Sequence, residues 1–204
     1  MPHWLTLRRL GKQQPPEYKD YLATQLRRTL SKSETDPGAG AVALINSVTE
    51  AQPSGGAVLC IGCRNALELD RFRARGFEKV VGIDVFSQRE DILVMDMHEL
   101  TFPDDSFDVV YASHSLEHSY NVTRVVREIG RVAREGAVVG VEVPVRTQQS
   151  AADRVVFSGL DELRDVFGGR VGEEVLAEEQ PPHTATNEQG TDVARLVFRV
   201  QKDG

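Results

Sequence analysis

Val58-Leu59-Cys60-Ile61-Gly62-Cys63, followed by Gly82-Ile83-Asp84, decides how this chain folds. An apolar strand ends in glycine, a helix follows, and a second apolar strand ends in aspartate. Asp84 stands 22 positions after Gly62. Rossmann-type sheets use this arrangement to hold an adenosine. The glycine turn lets the backbone approach the ligand, and an acid about 20 residues on accepts the ribose hydroxyls. The loop Gly62-Cys63-Arg64-Asn65-Ala66-Leu67 lacks the further glycines that let backbone amides reach a pyrophosphate. A nicotinamide-dependent oxidoreductase is disfavoured on that ground. An adenosine ligand without phosphate depends less on those glycines.

Working outward, a helix is expected from about Ala66 to Arg75, stopped by Gly76, and a second strand over Lys79–Ile83. The link from Asp84 to Ile92 is too short for the usual dozen-residue crossover and reads as a shortened one. Ile92-Leu93-Val94-Met95-Asp96-Met97 is a third apolar run ending in an acid. A fourth strand is expected over Phe107–Ala112, a helix over Val122–Arg134 and a fifth strand over Ala137–Val143. Repeated strand–helix units imply a parallel sheet with helices on both faces. Leu160–Phe167 reads as a helix. Val171–Ala177 and Val193–Val200 read as an antiparallel strand pair joined by the polar loop Gln180–Gly190. Upstream, Tyr18, Tyr21, Leu22, Gln25, Leu26 and Thr29 recur at helical spacing over Glu17–Leu30, and a break follows at Asp36-Pro37-Gly38. A short helix over Ala41–Ala51 is expected to pack on the sheet. The division is therefore an N-terminal helical extension, 1–52, that covers a Rossmann-like domain, 53–204.

Three later stretches carry a resemblance. They are Leu100-Thr101-Phe102-Pro103-Asp104-Asp105-Ser106-Phe107-Asp108-Val109-Val110-Tyr111, then Ser113-His114-Ser115-Leu116-Glu117-His118, then Arg127-Glu128-Ile129-Gly130-Arg131-Val132-Ala133-Arg134-Glu135-Gly136. With the acid-ended third strand they resemble the class I S-adenosylmethionine-dependent methyltransferases of the small-molecule, type 11-like group, over roughly residues 56–145. The resemblance implies an α/β fold: a doubly wound, mostly parallel seven-stranded sheet with an antiparallel C-terminal strand. It implies S-adenosylmethionine as cofactor and a small molecule as methyl acceptor. The family usually has an acid where Cys60 stands and glycines where Arg64 and Ala66 stand. A degenerate methyltransferase fold serving as a binding or scaffold module is the alternative those departures support.

Cofactor binding is expected at Gly62, Cys63, Arg64, Asp84, Val85, Asp96, Met97 and Ser113. Asp84 would take the ribose diol through charge-assisted hydrogen bonds. By resemblance the Asp96 side chain takes the adenine amino group, and the Met97 N–H faces the ring. Arg64 is expected to fork onto the carboxylate of the methionine moiety. His114 follows the fourth strand, at the carboxyl edge where open α/β sheets bind ligands. It is the expected catalytic residue, a general base with an ordinary pKa near 6.5, and it favours oxygen slightly over nitrogen or carbon as acceptor. His-Ser-Leu-Glu-His also matches an H-x-x-E-H zinc-peptidase pattern. It directly follows a strand in a loop position, so no metal is expected. Cys60-Ile61-Gly62-Cys63 spells C-x-x-C, yet Cys60 lies inside an apolar strand, where a redox thiolate is disfavoured.

A chain of 204 residues with 40% hydrophobic and 27% charged residues has room for one full core. The formal charge of −7 argues against a nucleic-acid partner. No long apolar run predicts a membrane span, and Met1–Leu5 lacks the apolar region of a signal peptide. With two cysteines and no disulfide framework, a cytoplasmic location is expected. No N/D-P-P-Y/F motif follows the fourth strand, which disfavours methylation of base or amide nitrogen. Oligomeric state is not legible.

Overall fold

A computed structural model describes residues 10–12, 14–31, 38–64, 67–87, 89–146, 148–149, 153–187 and 190–202. Asn65, Ala66 and the start of the chain lie outside the described residues. The seven strands are β1 (Ala57–Ile61), β2 (Lys79–Asp84), β3 (Ile92–Val94), β4 (Phe107–Ser113), β5 (Ala133–Pro144), β6 (Val171–Gln180) and β7 (Val193–Val200). They form one sheet in the order β3-β2-β1-β4-β5-β7-β6. β7 runs antiparallel to both its neighbours, and every other pair is parallel.

The strands are apolar on both sides because both faces are covered. All five residues of β1 are buried. Their alternation splits them between two cores. Leu59 and Ile61 join Val125, Val126 and Ile129 of α4 (Val122–Val132) and Leu163 and Phe167 of α5 (Leu160–Phe167). Val58 and Cys60 join Leu44, Ile45 and Val48 of α2 (Ala39–Ala51) and Leu69 and Phe72 of α3 (Leu67–Arg73). One layer of helices thus begins before residue 52, and α2 is part of the sheet's own core. The first helix, α1 (Pro16–Ser31), belongs to a separate small cluster of Tyr18, Tyr21 and Leu22.

Two boundaries differ from the sequence reading, for one reason. α4 ends at Val132, and β5 starts at Ala133, whose extended backbone (φ −72°, ψ 141°) turns the chain straight into the sheet. The register then jumps from Phe107↔Ala133 to Val109↔Val138, and the extra residues form a bulge that contains Gly136 at φ 72°. The shortened crossover after Asp84 is as expected: β3 pairs parallel with β2 at Gly82↔Ile92, and no helix is assigned among the described residues between them. Among the described residues no helix is long and apolar enough to cross a membrane.

Strand order reverses between β1 and β4. Chain direction there opens a crevice at the carboxyl ends of both strands, where ligands of open α/β sheets bind.

Candidate active site

A cavity of about 640 Å³ occupies that crevice, roofed by α1. Its wall contains Gly62, Cys63, Arg64, Asp84, Val85, Met97, Ser113 and His114. Gly62 turns the chain at φ 75°, and its N–H donates to the Ile83 carbonyl at 2.8 Å. A Cβ at this position would fall 2.2 Å from Ser115 Oγ. That hydroxyl lies 3.0 Å from the Ile61 carbonyl and 3.1 Å from the Ser113 carbonyl. The glycine is thus required twice, by its left-handed backbone and by the close approach of the turn after β4.

Asp84 ends β2 facing this turn. Its carboxylate accepts the Arg64 N–H at 3.1 Å and the Phe86 N–H at 3.3 Å. Burial pushes its carboxyl up to about 6, because the backbone N–H groups of Phe86, Arg64 and Val85 offset only part of the desolvation. A ribose diol supplies what this carboxylate lacks, two further hydroxyl donors. The residues present therefore fit an adenosine-bearing cofactor at this end.

Asp96 is placed differently from expectation. It is absent from the cavity wall, which takes Met95 and Met97 from this stretch instead. One oxygen of Asp96 accepts the Tyr18 hydroxyl at 2.7 Å. The other takes the His98 backbone N–H at 2.9 Å and meets the His98 ring Nδ1 at 2.7 Å. His98 Nε2 accepts from the backbone N–H groups of Tyr120 (3.0 Å) and Asn121 (3.2 Å), which leaves the proton on Nδ1, facing Asp96. Burial works against the Asp96 carboxylate, but His98 and Tyr18 outweigh it and hold the group below its ordinary value. Tyr18, which the sequence offered only as an apolar position on α1, is the reason Asp96 faces away from the cavity.

At the other end, the backbone of His114 is left-handed (φ 49°), which aims its ring back across the sheet edge. His114 Nε2 lies 3.0 Å from Glu142 Oε1, and Nδ1 lies 3.6 Å from Glu117 Oε1. Ser113 Oγ donates to the same Glu142 oxygen at 3.3 Å, and Arg195 pairs with the other one. Burial alone would lower the His114 pKa. Hydrogen bonds to Glu117 and Glu142 raise it to about 9 instead. Both ring nitrogens thus face carboxylate oxygens, which favours the charged ring over the neutral one expected from the sequence.

Sequence reasoning missed Glu142, Asp153 and Arg28. Glu142 hides in an apolar strand, and Asp153 sits in a polar loop without a motif. His118 Nδ1 lies 2.9 Å from Asp153 Oδ1, and Arg146 holds the other Asp153 oxygen at 3.2 Å. Ligand atoms of Glu117, His118 and Asp153 all lie within 4.8 Å of one another. Both cysteines are buried free thiols, and burial raises their pKa well above the ordinary value. Cys63 Sγ points at the Cys60 and Ile83 carbonyls at 3.4 and 3.8 Å, so the C-x-x-C packs the turn.

Comparison with known proteins adds to this geometry. The family described as "Methyltransferase domain" matches residues 59–141, which span β1 to β5. The methyltransferase GfsG of Streptomyces halstedii is 33% identical over 102 residues, 49% of this chain and 30% of that protein. The chain thus spans under a third of the length of this curated relative. In structure, the chain is similar to the 1,6-didemethyltoxoflavin-N1-methyltransferase of Burkholderia thailandensis, solved with 1,6-didemethyltoxoflavin and S-adenosylhomocysteine. That likeness has a TM-score of 0.69 at 15% identity and covers 92% of this chain and 91% of the other. It is also similar to the [4+2]-cyclase SpnF, with a TM-score of 0.63 at 18% identity, covering 90% of this chain and 93% of the other. These likenesses show the fold, and the second shows that the fold alone does not name a reaction. The segment that matches the methyltransferase-domain family, residues 59–141, is the one that carries the strand-order reversal and the Gly62–Asp84 pocket.

Proposed function

We propose that this chain transfers a methyl group from S-adenosylmethionine to a small-molecule acceptor. The observation that carries the reading is Asp84: a buried carboxylate on the cavity wall, beside the left-handed Gly62 turn, accepting backbone N–H groups alone among the described residues. Asp84 receives the ribose, and the Gly62–Arg64 backbone closes against it. Arg64, also in the wall, lies near Asp84 and receives the methionine carboxylate. Ser113 and His114 border the methyl-transfer end. The bound cofactor supplies an activated methyl on a sulfonium. The chain's task is to align the acceptor with it and exclude water, which needs no strong base.

His114, charged between Glu117 and Glu142, acts as a fixed donor that orients the acceptor. That role is present while the ring is charged and is lost as the pH rises through about 9. Calorimetry with S-adenosylmethionine and S-adenosylhomocysteine tests the reading directly. Micromolar-range binding of both is expected, and no heat with either ligand on folded protein would overturn it.

A further inference from the structure

Helix α1 turns one face to the cavity: Tyr21, Gln25, Arg28 and Thr29, spaced at four, three and one residues. Arg28 is the unusual member. Among the described residues its guanidinium has no ion pair and no side-chain hydrogen bond. Other arginines near the cavity are engaged: Arg146 holds Asp153, Arg195 holds Glu142 and Glu178, and Arg154 lies over the Tyr120 ring. A guanidinium carries five donors in a rigid fork matched to a carboxylate. Leaving it partly desolvated without an acceptor is costly.

Burial lowers the Arg28 pKa, while Glu117, Asp153 and Asp84, in that order, act on it from a distance in the opposite sense, and Arg64 repels it. Arg28 thus feels the acids after β4 more than the acid at the ribose end. Asp153 is held by His118 and Arg146, the Glu117 Oε1 atom faces His114 and His118, and among the described residues none of these acids pairs with Arg28.

We infer that Arg28 is the anchor for an anionic group, a carboxylate in the first instance, on the methyl acceptor. The acceptor class is then small organic acids. This rests on the methyltransferase reading for the word acceptor, while the anion site itself rests on the unpaired guanidinium. The same chemistry has a second source, the carboxylate of the cofactor's own methionine moiety. Of the three arginines in the cavity wall, Arg146 is taken by Asp153, which leaves Arg64, beside Asp84, for the cofactor and Arg28 for the acceptor.

The experiment uses the full chain as wild type, Arg28→Gln and Arg28→Lys, and starts with calorimetry. S-adenosylhomocysteine and 5′-methylthioadenosine, which lacks the amino acid, are each titrated. Both affinities are expected to change less than about twofold in Arg28→Gln. A selective loss for S-adenosylhomocysteine would assign Arg28 to the cofactor and overturn the acceptor role. The S-adenosylhomocysteine complex is then titrated with sodium sulfate and with 4-hydroxybenzoate, using 4-hydroxybenzamide as the neutral twin. Sulfate and benzoate are expected to bind the wild type and to weaken about tenfold in Arg28→Gln, the size of one charge-assisted pair, with partial retention in Arg28→Lys. No anion binding to the wild-type complex, or anion binding equal in Arg28→Gln, overturns the proposal. Failure of wild-type protein to bind S-adenosylhomocysteine strikes the methyltransferase reading instead, and the sulfate titration of the ligand-free chain still decides the anion site.

Discussion

Asp84 and Asp96 look alike in the sequence and behave as opposites in the fold. Each follows an apolar run at the carboxyl edge of the sheet, and they are 9% and 8% exposed. Burial raises Asp84 to about 6, whereas His98 and Tyr18 hold Asp96 below the ordinary aspartate range. The difference lies in who supplies the hydrogen bonds. Asp84 has only backbone N–H groups and an open side toward the cavity. Asp96 has a phenol, an imidazole and a backbone N–H, and is absent from the cavity wall. Two buried carboxylates of equal exposure can thus serve opposite ends: one waits for a ligand, the other fastens the protein to itself.

Exchanging the charge for an amide should separate the two. Asp84→Asn is expected to weaken S-adenosylhomocysteine about 100-fold, the order of two charge-assisted hydrogen bonds lost, while the thermal midpoint holds or rises because an under-compensated charge has gone. In wild type the affinity should also fall as the pH drops below about 6, where Asp84 takes a proton, and this limb should be missing from Asp84→Asn. A pH-independent affinity between 5 and 8 would show that the ribose is held elsewhere.

Asp96→Asn should reverse the pattern. A loss of about 1–3 kcal/mol in urea unfolding at pH 7 is expected, with cofactor affinity changed only a few-fold. Since the folded pKa of Asp96 is depressed, its contribution is present above the ordinary value of about 3.9 and lost as the pH falls through the folded value. The gap to wild type should close in acid. An affinity loss as large as that of Asp84→Asn, without lost stability, would restore Asp96 to the adenine.

The smallest effect belongs to Tyr18→Phe, which keeps the ring and removes one buried hydrogen bond. About 1 kcal/mol of stability is expected to go, together with a few-fold faster release of S-adenosylhomocysteine in stopped flow. Unchanged release would separate the Tyr18–Asp96 bond from the cavity's behaviour.

The contrast marks how far the sequence could be read. The strands themselves were legible because apolar runs, glycine turns and strand-end acids are local signals. The cavity set was legible where a residue follows a strand end directly: Gly62, Asp84, Ser113 and His114 all reach the wall. Asp96 was misplaced because its partner Tyr18 is 78 residues away, and no periodicity reports a phenol's target. The charge state of His114 was illegible for a similar reason. It depends on Glu142, an acid within the apolar run Ala137–Val143, whose side chain meets Arg195 53 residues on. Burial and long-range pairing set protonation, and a window of neighbours carries neither.

Helix α1 meets the rest of the protein mainly through side chains of loop residues: Asp96, His98, Tyr120 and Arg154. Tyr18 and Tyr21 stack edge-on against His98 at 5.6 and 5.7 Å, and α1 stands outside both sheet cores. An element held this way opens at a free energy well below that of the whole fold. Amide protons of α1 should therefore exchange with solvent long before those of β1 and β4. The molecule then has two clocks: a slow one for the sheet that fixes where a ligand sits, and a fast one for the roof that fixes how long it stays.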